Sequence, residues 1–261
     1  MILDRLAASA PKRVEEKKRR RPLTELQREA EAMEKNTGFP FRQALEAEGI
    51  SFICEVKKAS PSKGIIAEQF PYLEIAEDYQ AAGAAAISVL TEPEYFLGQD
   101  RYLKEIARQA AVPVLRKDFT VDPYQIYEAK VLGASAVLLI CSILSLEQLK
   151  EYLKLARGLG LSALVETHDS REIDLALEAG AGIIGVNNRN LQDFQVDVSN
   201  SLRLRELIPP GVLYVSESGV RTRRDVEILE QNGTDGVLIG ETLMRSPDRQ
   251  RTLRELKGGA G

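Results

Sequence analysis

SFICEVKKASPSKG, residues 51–64, runs apolar through Phe52, Ile53 and Cys54 and then sets Glu55 and Lys57 two positions apart. Alternate residues of a strand share a face, so the acid and the ammonium project together from the strand's end. Ser60, Pro61, Ser62 and Gly64 follow as loop formers. Bringing opposite charges to the end of a buried strand is costly unless chemistry needs them. Alone, the pair reads equally well as a surface salt bridge.

Seven more apolar runs follow, so that the full set is 51–56, 85–90, 112–117, 136–141, 162–167, 183–187, 212–217 and 236–240. Their starts lie about 21 to 34 residues apart, and the intervals hold helix-like segments such as 72–83, 146–160, 170–180 and 222–233. These carry apolar residues at three- and four-residue spacing, several close on Gly, and Asp169 and Ser170 are candidate N-caps. Eight strands alternating with helices predict an α/β fold, a single (β/α)8 TIM barrel. An open doubly wound sheet would call for a G-x-G-x-x-G fingerprint after the first strand, which is missing. Residues 1–50 read as a helical N-terminal extension that covers either the bottom or the mouth of the barrel. With no low-complexity linker, residues 1–261 are expected to form one domain.

Composition excludes several function classes. The chain has 261 residues, 44% of them hydrophobic, so a barrel-sized core is within reach. A net charge of −4 gives no nucleic-acid footprint, and the basic run Lys17 to Arg21, set among acids, reads as a solvated helical face. Two cysteines, Cys54 and Cys141, lie in apolar runs and read as buried free thiols of strand core, which suits a cytoplasmic protein. With one histidine, no metal cluster is expected. No apolar stretch is long enough for a membrane span or a signal peptide.

In this fold the C-terminal strand ends line the active site. They offer Glu55 and Lys57, Lys117 with Phe119, Glu166, Asn187 with Arg189, Glu217 with Ser218 and Gly219, and Gly240 with Glu241. The second and fourth strands stay apolar, with Leu138 a candidate pocket wall. A desolvated lysine near a second cation is expected to have a lowered pKa and to act as an acid or Schiff-base nucleophile, with Glu166 as complementary base. Glycines at the last two strand ends let backbone amides approach an anion, with Ser60 or Ser62 and Arg189 as further donors. The substrate therefore carries a phosphate, and Phe96, Phe119 and Leu138 suit an apolar remainder. His168 reads as an exposed or N-cap-adjacent residue opening the next helix, outside the chemistry.

EVKKASPSKG, LRKDF, LVETH, GVNNRNL, SESG and VLIGETLM, together with the helical extension, resemble the indole-3-glycerol phosphate synthase family over essentially the whole chain. The resemblance implies ring closure of 1-(2-carboxyphenylamino)-1-deoxyribulose 5-phosphate with loss of carbon dioxide and water, in tryptophan biosynthesis. By motif, Lys117 is similar to the general acid and Glu166 to the general base. Glu55 and Lys57 resemble the pair that positions Lys117 and meets the anthranilate carboxylate. Asn187, Glu217 and Ser218 match polar contacts to substrate. Ser60, Arg189, Gly219, Gly240 and Glu241 fall at phosphate positions, and Phe96, Phe119, Leu138, Leu191 and Leu238 on the apolar pocket. The resemblance implies a phosphorylated small-molecule substrate and no cofactor, metal, nucleic acid or membrane partner. A free-standing monomer is expected, not a fusion with the isomerase of the preceding step. Phosphoribosylanthranilate isomerase, the nearest alternative, would need a cysteine base at the first strand's end, but Cys54 precedes Glu55 inside the strand. A catalytically silent phosphate-binding barrel would lack the lysines and glutamates.

Overall fold

Alternation within each apolar run decides which side chains meet inside the sheet. In the computed structural model, which describes residues 7–190 and 194–259, these runs are eight strands. They are β1 Ser51–Val56, β2 Ala86–Leu90, β3 Val114–Lys117, β4 Ala136–Ile140, β5 Ser162–Thr167, β6 Ile183–Asn187, β7 Leu213–Glu217 and β8 Gly236–Ile239. They pair in parallel and close into a barrel, β1 lying between β8 (Cys54 opposite Ile239) and β2 (Glu55 opposite Ser88). Ile53, Leu115, Leu138, Leu164, Val215 and Leu238 fill the interior. Residues one step out of phase, among them Cys54, Val89, Val137, Val165 and Ile184, pack outward against the helices. Cys141 is buried but lies in the single 3-10 turn after β4, just past the strand.

The outer ring follows as α4 Tyr72–Ala81, α5 Asp100–Gln109, α6 Pro123–Val131, α7 Leu146–Gly158, α8 Ser170–Ala179, α9 Ser199–Leu204, α10 Arg223–Gln231, α11 Glu241–Met244 and α12 Arg249–Leu256. Several of their starts are set by side-chain caps: Asp122 before Pro123, Ser145 and Thr222 in capping boxes, and Asp169, which accepts the Glu172 N–H at 2.9 Å. Ser170 is the first helical residue and not the cap.

The N-terminal extension reaches both ends of the barrel. In α1 (Ser9–Arg20), Arg13 binds Asp118 at 2.9 Å, immediately beyond the end of β3. Next, α2 (Leu23–Ala32) lies along α6, and α3 (Pro40–Leu45) closes the bottom with buried Phe41 and Leu45. Arg42 donates to the carbonyls of Gly182 and Gly211, each just before a strand, at 3.2 and 3.4 Å. The basic run is only partly a solvated face. Lys17 and Lys18 are ion-paired to Glu128 and Asp122, both at 2.7 Å, while Arg19 and Arg20 are exposed.

Arg116 explains why the extension needs those cations. It points outward from β3, is 2% exposed, and meets Glu128 at 2.7 Å, Asp100 at 3.1 Å and Asp118 at 3.6 Å. One guanidinium among three carboxylates leaves excess negative charge, and Arg13 and Lys17 supply the balance.

Candidate active site

The inward-facing last residues of β1, β3, β5 and β7 are Glu55, Lys117, Glu166 and Glu217, and closure of the barrel brings them to one point. Lys117 Nζ lies 3.3 Å from Glu217 Oε2, 3.6 Å from Glu55 Oε2 and 3.7 Å from Glu166 Oε2. The other oxygen of Glu55 pairs with Lys57, as the two-residue spacing predicts. All three carboxylates are buried, and the two ammonium groups open on a cavity of about 410 Å³ at the barrel mouth.

The environment of Lys117 is opposite to the one expected. Burial alone would push its pKa down, but Glu217, then Glu55 and Glu166, drive it well above the ordinary lysine value. Lys57, the other cation, sits behind Glu55. The three carboxylates thus favour the ammonium form of Lys117. The strain falls on Glu217: burial pushes it up to about 7 against the attraction of Lys117, with Glu166 and Glu55 adding like charge. Neither Glu217 oxygen receives a well-formed hydrogen bond. Its side chain lies over Gly185, where a Cβ would collide with Oε1, so β6 needs glycine at that step. Glu55 is lowered: burial opposes this, and the adjacent Lys57 and Lys117 outweigh it.

Beside this cluster, Asn187 Oδ1 accepts from Ser218 Oγ at 2.9 Å and from the Arg189 N–H at 3.0 Å. Ser218 and Gly219 have φ of 68° and 95°, a turn held by Asn188, whose amide donates to the Ser218 carbonyl at 3.0 Å. A Cβ on Gly219 would come within 2.6 Å of Val196, so close approach as well as conformation demands glycine. Across the mouth, residues 58–67 fold as a hairpin with strands Ala59–Ser60 and Gly64–Ile65. Ser60 and Ser62 face the cavity, and Ser62 Oγ accepts from Arg189 at 3.4 Å.

The family model described as indole-3-glycerol phosphate synthase matches residues 3–256. The chain belongs to the indole-3-glycerol phosphate synthase family. A protein of that name from Ruminiclostridium cellulolyticum is 56% identical over 260 residues, covering all of both chains. One from Endomicrobium trichonymphae is 55% identical, covering 98% of this chain and 100% of its own. Among solved structures, 3-hexulose-6-phosphate synthase superposes with a TM-score of 0.66 at 14% identity, covering 81% of this chain and 100% of its own. A mutant tryptophan synthase α-subunit from Pyrococcus furiosus gives 0.60 at 17%, covering 80% and 98%. Those likenesses are of the barrel alone.

In this synthase chain the cavity gathers Glu55, Lys57, Lys117, Glu166, Asn187, Glu217 and Ser218 on one side. Ser60, Arg189, Gly219, Gly240 and Glu241 also line it, Gly240 lying directly against Glu55 and Lys57, and so do the apolar Phe96, Phe119, Leu138 and Leu238. The Phe96 and Phe119 ring centroids are 6.3 Å apart. Leu191 lies outside the described residues. The Glu241 carboxylate is not idle: it lies 3.6 Å from Arg189, 3.7 Å from Lys63 and 3.3 Å from Arg245.

Two residues escaped the sequence reading. Glu92 is wholly buried and accepts the N–H groups of Glu94, Tyr95 and Phe96, which aims the loop bearing Phe96. An acid followed by TEPEYF-like loop residues is the only local signal. His168, expected to be exposed or to adjoin the N-cap, does precede the cap Asp169, but it is largely buried, with Nε2 3.5 Å from Glu166 Oε1.

Proposed function

We propose that the chain, as a synthase of this family, converts 1-(2-carboxyphenylamino)-1-deoxyribulose 5-phosphate to indole-3-glycerol phosphate, with Lys117 as general acid and Glu166 as general base. The observation that carries the assignment of roles is the ammonium of Lys117, set among Glu55, Glu166 and Glu217 within 3.7 Å in the barrel-mouth cavity. Attack of the aromatic ring on the substrate carbonyl builds an alkoxide. An alkoxide is a stronger base than an amine, so a lysine held charged by three carboxylates can still deliver its proton there. The attacking ring carbon bears the carboxylate, so breaking its bond to carbon dioxide restores the aromatic ring with no ring proton to remove. Glu166 then takes the proton that the sugar carbon next to nitrogen loses as the new hydroxyl leaves as water.

Lys57, anchored by Glu55, meets the departing carboxylate and is placed to donate in the dehydration. Asn187, Glu217 and Ser218 hold the polar middle of the substrate. Its phosphate seats against Ser60, Arg189 and the backbone N–H groups of Gly219, Gly240 and Glu241, with Phe96, Phe119, Leu138 and Leu238 around the ring. The reaction needs no cofactor in this reading, and the protein works as a cytoplasmic monomer. Purified protein mixed with the substrate is expected to develop indole fluorescence; no fluorescent product from the folded wild-type chain would refute the assignment.

A further inference from the structure

His168 is the only histidine of the chain, and the chemistry above does not use it. It follows Glu166 by two residues and precedes Glu172 by four, on the turn where β5 gives way to α8. Glu172 Oε2 accepts both the backbone N–H of His168, at 2.8 Å, and its ring Nδ1–H, at 3.0 Å. The ring is thereby fixed with Nδ1 committed as a donor. The other nitrogen, Nε2, is buried, has no hydrogen-bond partner, and faces Glu166 Oε1 at 3.5 Å.

A neutral ring in this orientation would set the Nε2 lone pair against a carboxylate lone pair. A proton on Nε2 removes that conflict and makes the ring an imidazolium between two acids. The surroundings agree. Burial would lower the pKa of His168, but the Glu172 hydrogen bond, then Glu166 and Glu172 as charges, with Glu217 beyond, raise it. From the turn after β4 the neighbouring group is Cys141, whose thiol burial pushes up to about 12 and keeps neutral. From α9, Asn200 donates to the His168 carbonyl at 3.1 Å.

We propose that His168 is a positioning residue for the base: anchored by Glu172, it presents Nε2–H to Glu166 Oε1, so that Glu166 is held with Oε2 turned toward Lys117 and the substrate. Glu166 Oε2, at 3.7 Å from Lys117 Nζ, is the oxygen on the cavity side. The imidazolium exchanges no proton in this role; its charge and its direction set the carboxylate that does. The inference rests on the assignment of Glu166 as general base.

The test measures indole formation against pH for the wild type and for His168→Ala, His168→Gln and Glu172→Gln, with circular dichroism to confirm folding. His168→Ala is expected to lower kcat about tenfold, a minor share of the 10²–10⁴ that a general base supplies, with KM within about twofold. The acidic limb of kcat should move up by about one pH unit, the low end of the effect of one opposite charge at this distance. His168→Gln restores a donor but no charge, so kcat at high pH should recover while the limb stays displaced. Glu172→Gln keeps the ring's acceptor and should move the limb the same way by less; it decides the matter if His168→Ala fails to fold. In a Glu166→Gln background, His168→Ala should cost under about twofold, since the residue it serves is already gone. Unchanged kcat and limb in the folded variants, or an undiminished loss in the Glu166→Gln background, would overturn the proposal. A silent wild-type protein would instead overturn the synthase reading.

Discussion

Replacing Lys117 by methionine keeps an unbranched side chain one atom shorter and removes the one ammonium that Glu55, Glu166 and Glu217 share. Glu55 retains Lys57, but Glu217, fully buried, loses the cation 3.3 Å away. Breaking a buried pair from one side costs about 3–5 kcal/mol. Part of that loss depends on pH, with a definite sign. Glu217 is pushed up to about 7 even with Lys117 beside it, and without Lys117 it rises further. The native variant therefore binds more protons than its unfolded chain, so its stability falls as pH rises. Each further unit of displacement is worth about 1.4 kcal/mol. The deficit relative to wild type should then be about 3–5 kcal/mol near pH 8 and smaller by at least about 1 kcal/mol near pH 5.5. Urea unfolding at both pH values measures it, and indole fluorescence should show turnover reduced by at least roughly 10²-fold. Equal deficits at the two pH values, or near-normal turnover, would refute the three-carboxylate account of this lysine.

Glu217→Gln should trade activity for stability. A carboxyl raised in the folded state loses stability as pH climbs from its ordinary range through about 7, so the amide variant should be more resistant to urea than wild type near pH 8, though slower in turnover. Gly185→Ala should displace the Glu217 carboxylate and cost about 1–3 kcal/mol by overpacking, together with turnover. In a Glu217→Ala background the same change should cost much less, which a double-mutant cycle in thermal unfolding would show. Arg116→Met should destabilise by about 3–5 kcal/mol, because Asp118 and Glu128 are left buried without their guanidinium; a loss under about 1 kcal/mol would show that Arg13 and Lys17 suffice.

What was legible in the chain was what depends on a short period. Glu55 and Lys57 fall on one face because two residues span one pleat, and Lys117, Glu166 and Glu217 fall at strand ends because each closes an apolar run. Once the strand count implied a barrel, their meeting followed from closure. The sign of the Lys117 shift did not follow, because it depends on which of β1, β5, β7 and the Lys57 side chain comes nearest, a matter of ångströms between remote segments. The partnership of His168 with Glu172 looks like any helix-start spacing until the ring is seen turned inward. Gly185 lies unremarked inside an apolar run; only the side chain of Glu217, one strand later on the neighbouring β7, shows what its missing Cβ makes room for. The extension's route from mouth to bottom has no periodic signature, since its ties are individual pairs such as Arg13 with Asp118 and Arg42 with Gly182.

β3 carries two cations back to back, Arg116 outward and Lys117 inward, each among three carboxylates. One peptide bond joins them. The outer set is locked to the N-terminal helix by Arg13 and Lys17, so the segment before the barrel acts as a clamp on the strand that aims the acid. A chain that loosened this clamp while still closing its barrel would keep its shape and lose aim: the ammonium would wander among its three carboxylates before cooperativity of unfolding fell.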